Sequence, residues 1–416
     1  NAGRESQKQH SIAIGLSSGQ AHQGGPTSGG AISIGQSSGQ DSQGSYSIAL
    51  GYGSGMDKQG TKSIAIGYAS SQYSQSTKSI SIGNYAGRYF QDSSSIAIGD
   101  SAGKSNQGHH SIAIGPEAGR DSQGDAAIAI GYRAGQDSQG DAAIAIGTQA
   151  GFFKQSGGSI ALGYKAGQDS QGIYGIAIGA DAARDSQGNY SIAIGRYAGQ
   201  REQGNNAIAI GLDAGQHLQG KFAIAIGDSA GQNSSGWASI AIGKGSLSGT
   251  GTNGTSTIAI GTDAGINGMG NQSVAIGRQA AGGATATANS TVSIGYLAGE
   301  TGQDYEATAI GYRAGRTDQG DRTVAIGPSA GMTTQGDYSI AIGEHAGIYE
   351  QNADAIAIGR QAGLGHWPAH SNGGQGADGI AIGKYAQKLP AKNADNRGTG
   401  AIAIGTEAGE NNQGNY

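Results

Sequence analysis

The chain contains no cysteine, which excludes disulfide bonds and thiolate metal sites. It has only 5 prolines, and its 81 glycines show no Gly-X-Y spacing, so a collagen triple helix is excluded as well. No apolar run approaches the length of a membrane-spanning helix. Charge of one sign is not concentrated anywhere. The 25 basic and 30 acidic residues are intermixed and leave a net charge of −5, so the basic stripe of a nucleic-acid binder is missing. Catalytic signatures are absent too: there is no His pair at helical spacing, phosphate-binding loop, nucleophile elbow or Gly-Gly-x-Gly-x-Asp calcium repeat. No enzymatic activity, cofactor or metal is therefore expected.

What the chain does have is a phrase. Ile-Ala-Ile-Gly or a close variant occurs 24 times, from the motif glycine Gly15 to Gly405, and 18 of the 23 intervals are 16 residues. A fixed short period describes a solenoid, in which sequence neighbours stack on one another. The expected fold is an all-β parallel β-solenoid of two short strands per 16-residue coil and about 24 coils. A three-sided helix would repeat the Ile-Gly-x-x-Ala fragment on every side, whereas it occurs once per coil. Residues 1–416 read as one continuous array, regular over 32–243 and 295–359, with looped-out insertions near 16–31, 244–294 and 360–401. Both ends of the sequence fall within a repeat, which predicts a segment of a longer protein.

The 24 copies can be compared slot by slot. Three residues before the motif glycine stands Ile in 20 copies, and one residue before it Ile in 22. Two residues apart on a strand, these side chains share a face. They are expected inside the coil, as the structural core, with Ile64, Ile66, Ile128, Ile130, Ile192 and Ile194 as representatives. The slot between them is Ala in 21 copies and Ser in three. Such restriction predicts something packed against it, either another chain or a tightly packed strand. The motif glycine predicts a corner with positive φ or a close backbone approach. Eight residues after it stands Gln in 18 copies. Gln107, Gln123, Gln139, Gln155, Gln171 and Gln187 would lie about 4.8 Å apart in stacked coils, within reach of an amide ladder.

A few features fall outside the repeat. The 364–376 loop carries His366, Trp367 and His370 and reads either as a binding tip or metal-collecting pair, or as a plain solvated loop. Tyrosine recurs just after the motif glycine, at Tyr52, Tyr68, Tyr132, Tyr164, Tyr296 and Tyr312. It suits either turn packing or a surface that binds sugar or protein. Thr255–Thr257 and Thr285–Thr287 are Thr-x-Thr pairs of the kind that an ice-binding or ice-nucleating solenoid, the alternative function, would need in flat ranks.

Ser-Ile-Ala-Ile-Gly at 11–15, 63–67, 95–99, 111–115 and 191–195, and Ser-Val-Ala-Ile-Gly at 273–277, resemble the head repeat of trimeric autotransporter adhesins (YadA-like heads). Similar repeats occur in phage and virus tail fibres. The resemblance implies a left-handed β-roll, a side-by-side homotrimer and a non-enzymatic fibrous role in attachment to a host protein, glycan or surface. It also implies an extracellular, cell-surface or virion-surface location. The repeat here is longer than is usual in that family, and the Gln-Gly column is not typical of it.

Overall fold

A computed structural model describes residues 2–25, 29–233, 235–249, 253–283, 288–364, 375–387 and 399–409. The protein is an all-β parallel β-solenoid, with no helix among the described residues. It forms two compact units, Asn1–Asn206 and Ala207–Tyr416.

In the first unit the Ile-x-Ile phrase forms twelve three-residue strands, from Ile12–Ile14 to Ile192–Ile194. Each pairs in parallel with the next copy, in register: Ile128 with Ile144, Ala129 with Ala145, Ile130 with Ile146. Strands this short cannot persist alone, and stacking supplies their hydrogen-bond partners. A second sheet of eleven strands, Asp41–Gln43 to Arg201–Gln203, is built from the other side of the coils. Its rungs pair at only two positions, as in Asp121 with Asp137 and Gln123 with Gln139. Between them Ser122 and Ser138 have φ of 60° and 57°. This left-handed residue breaks the alternation of the strand. Ser138 is thereby exposed while Gln139 turns into the coil.

The second unit also has twelve strands of the Ile-x-Ile type, from Ile208–Ile210 to Ile402–Ile404. Among the described residues its second sheet has four, Thr301–Gln303, Thr317–Gln319, Thr333–Gln335 and Tyr349–Gln351. Across residues 211–290 the described residues hold no second strand; a single bridge, His217 to Asn233, marks its place. Among the described residues of that span, the expected two strands per coil are therefore one strand and at most a bridge.

Both reasons for the motif glycine operate together. Gly131 has φ of 128°, and a Cβ on it would lie 2.7 Å from the carbonyl oxygen of Gly147 in the next coil. No L side chain fits that corner.

The interior corrects the expected core. In both units the middle alanine of the strand is buried, as Ala65, Ala129 and Ala193 are at 0% exposure. So is the alanine three residues after the motif glycine, such as Ala134 and Ala198. Ile64, Ile66, Ile128, Ile130, Ile192 and Ile194 are only half-buried and lie on the outer face of the sheet. The reason is the thinness of the coil. Gln139 donates from its Nε2 to the carbonyl of Ile128 across the interior, at 2.8 Å. A Cβ on Gly135 would already stand 3.3 Å from the Cβ of Ala129. Two alanines and one glutamine fill this space, and an isoleucine pointing inward would not fit.

Candidate interaction surfaces

The interior glutamines are struts before they are a ladder. The amide of Gln107 donates to Ile96 O at 2.7 Å. Gln123, Gln155, Gln171 and Gln187 make the same bond to Ile112, Ile144, Ile160 and Ile176 at 2.7–2.9 Å. Many of these amides also donate to the carbonyl four residues on, at the start of the next coil, as Gln123 does to Ala127 at 3.2 Å. Rungs between glutamines occur in runs. Gln107, Gln123, Gln139 and Gln155 are linked in order at 3.3, 3.2 and 3.1 Å, and Gln187 donates to Gln203 at 3.2 Å. The Oε1 atoms of Gln171 and Gln187 accept no bond, so the run is broken there. In the second unit Gln303, Gln319, Gln335, Gln351 and Gln375 form a longer run, each bond 3.2–3.3 Å.

Gln375 is a residue that counting from the motif glycine misses, because an insertion precedes it. It takes the ladder position all the same, donating to Ile356 O at 2.9 Å and Gly379 O at 2.7 Å. The signal that could have found it is its place before the following strand. Gln375 precedes Ile380 by five residues, as Gln123 precedes Ile128.

A second polar column runs along the turn before the Ile strand. The Oδ1 of Asp125 accepts from the backbone N–H of His109 at 2.8 Å, and that of Asp141 from Asp125 at 3.0 Å. Asn189 and Asn205, Asn271 and Asn289, and Asp321 and Asp337 repeat the arrangement. Each side chain thus satisfies a turn N–H of the preceding coil.

Stacking also places like charges in columns. Burial, then the neighbouring charge of Asp185, pushes the Asp169 carboxyl above its ordinary range. Burial, followed by Asp321, Asp337 and Asp318, does the same to Asp304. Arg120 and Arg184 relieve other acids, each held above the ordinary guanidinium value first by its hydrogen bond to the next residue, Asp121 or Asp185. No group of three or more His, Asp or Glu able to hold a metal is found among the described residues.

The outer face of the Ile strand is apolar and partly exposed. Leu50, Ile82, Ile114 and Leu162 in the first unit are 36–40% exposed, and Ile260 and Ile276 in the second are 37% exposed. With their neighbours they make two parallel rows of branched aliphatic side chains along each unit. Monomeric proteins rarely leave such a surface bare.

Residues 319–346 match two copies of the YadA head domain repeat. The match takes in the strands Val324–Ile326 and Ile340–Ile342 and the glutamines Gln319 and Gln335. It therefore contains the Ile-face strand, the glycine corner and the strut of this coil. No curated protein matches the chain.

Other expected sites fare differently. His366, Trp367 and His370 lie outside the described residues. Thr257 is buried, so Thr255–Thr257 does not present an outward rank. The column of Thr301, Thr317 and Thr333 turns its hydroxyls to backbone carbonyls at 3.0–3.4 Å. No helix among the described residues is long and apolar enough to cross a membrane.

Proposed function

We propose that this chain is the shaft or head of a non-enzymatic, adhesin-like surface fibre, and that three copies pack side by side through their Ile faces. One observation carries the reading: the two outward rows of Ile, Val and Leu, in a chain whose residues 319–346 match two YadA head repeats. Inside a coil there is no room for them, and in water they cost free energy along every coil. Three copies around a common axis would bury both rows and leave the opposite sheet, polar and charged, on the outside. The middle alanine, whose restriction suggested a partner chain, has no part in this contact because it is enclosed in its own coil.

The work of such a fibre is attachment, to a host protein, a glycan or another surface, from the outside of a cell. The same fibre carried on a virion would serve the same purpose. Light scattering of the full chain should return the mass of three chains. The paired variant Ile130→Asp, Ile146→Asp should weaken the trimer while leaving the far-ultraviolet spectrum of the coils in place. A stable single-chain mass for the unaltered protein would overturn the reading.

A further inference from the structure

One stretch of the first unit differs from the rest of its surface. Tyr52 and Tyr68 stack at 5.1 Å with an interplanar angle of 9°. Tyr68 meets Tyr85 edge-on at 5.4 Å. The guanidinium of Arg88 lies 4.8 Å from the ring centres of both Tyr85 and Tyr89, and Tyr89 stacks on Tyr73 at 5.4 Å. Five tyrosines and one arginine thus form one unbroken surface over three coils. It begins at the glycine corner and continues onto the second sheet, whose outer face points away from the Ile rows. A trimer closed through the Ile face leaves it exposed.

Its charge is also distinct. Residues 52–91 hold Lys58, Lys62, Lys78 and Arg88 against Asp57 alone, in a chain of net charge −5. Arg120, Arg184 and Arg316 are each neutralised by carboxylates of their own chain. Arg88 instead donates from Nε to the amide oxygen of Gln72 at 2.9 Å and has no carboxylate partner among the described residues. A guanidinium held in place by two rings and one amide, with its remaining N–H groups unpaired by acid, is prearranged for an external carboxylate.

We propose that the Tyr52–Tyr68–Tyr85–Arg88–Tyr89–Tyr73 surface binds an acidic polysaccharide, a linear polymer of uronic acids. Rigid aromatic side chains with polar tips present both apolar ring area and hydroxyls, which suits the mixed faces of a pyranose. Arg88 takes a carboxylate, and Lys58 adds positive field on the same sheet. The advance of one coil, about 4.8 Å, is close to that of one sugar unit in an extended chain, so successive units meet successive coils. This rests on the reading of the chain as an attachment fibre and names its ligand class.

The test uses the full chain on immobilised polygalacturonate, with dextran as the neutral polymer and gelatin as the protein surface. Saturable retention on polygalacturonate is expected, with at least tenfold less on dextran and gelatin. The triple variant Tyr68→Ser, Tyr73→Ser, Tyr89→Ser should lose tenfold or more in affinity. Arg88→Gln, which keeps the bulk of the side chain, should lose about as much, and Tyr338→Ser on the second unit should bind like the unaltered chain. Three outcomes overturn the proposal: no retention of the unaltered chain, platform variants that bind as well as it does, or preference for gelatin. The native mass of the same sample separates the two readings. A three-chain mass without retention removes the ligand and keeps the fibre, whereas a single-chain mass removes the fibre.

Discussion

Coils 91–203 of the first unit and residues 233–290 of the second are built on the same Ile-Ala-Ile-Gly strand, yet their interiors are filled differently. In the first, glutamine occupies the slot eight after every motif glycine and the second strand is present throughout. In the second, that slot holds Ser235 and Met269, and Leu247 and Met269 are fully or almost fully buried. The sulfur of Met269 and the side chain of Leu247 crowd Gly265, as the amide of Gln139 crowds Gly135. Volume is thus conserved while hydrogen bonding is not. With the amide absent, the hydroxyls of Ser235 and Thr257 accept and donate nothing, and no second strand forms among the described residues. Gln219 keeps its strut to Ile208 O at 2.7 Å and its coil still shows only the bridge at His217, so the strut accompanies the second strand but does not by itself suffice for it.

The strongest way to break this comparison is to overfill the regular coils. Ala129→Ile forces a branched side chain into the enclosed slot, and a loss of about 3 kcal/mol or more in urea unfolding is expected. Next comes emptying the irregular one: Met269→Ala should cost about 2–4 kcal/mol, because the cavity beside Leu247 cannot collapse against a rigid stack. Gln139→Leu converts a regular coil to the apolar kind. It should cost about 1–3 kcal/mol through the acceptors it strands, with faster amide exchange at 137–139 as the sign that the second strand has loosened. The reverse change sharpens the comparison. Met269→Gln should leave global stability within about 1 kcal/mol, because the new hydrogen bonds offset the smaller apolar burial, and should slow amide exchange at 267–269. Unchanged exchange there would mean that the glutamine does not order the return strand.

The smallest effect is electrostatic. Asp169 and Asp304 have folded-state values raised above the ordinary carboxylate range. Ionised, they oppose folding; the penalty is complete above the raised folded value, shrinks as pH falls through it, and is gone below the ordinary value. Asp169→Asn should therefore stabilise slightly at neutral pH, and the gain should vanish on acidification through that window, as read from melting temperature against pH.

Much of the fold was legible because a solenoid writes each coil out in the sequence. The 16-residue spacing located the Ile strands, and the glycine slot located a corner whose φ and close approach both forbid a side chain. The glutamine column pointed to amides within reach of one another, although the bond to the Ile carbonyl of the same coil, which spans the interior, was not foreseen. Gln375 escaped because an insertion displaced it from the motif count. The platform around Arg88 was invisible as a unit, since Tyr52 and Tyr89 join one surface only when three coils stack.

The sequence alone determined the period, the parallel register and the two faces of the Ile-x-Ile strand. Alternation separates two faces, but it does not say which of them is the inner one. That was decided by tertiary structure. The return strand, kinked by a left-handed residue such as Ser138, lies within one glutamine's reach of the first, and that gap admits alanine and not isoleucine.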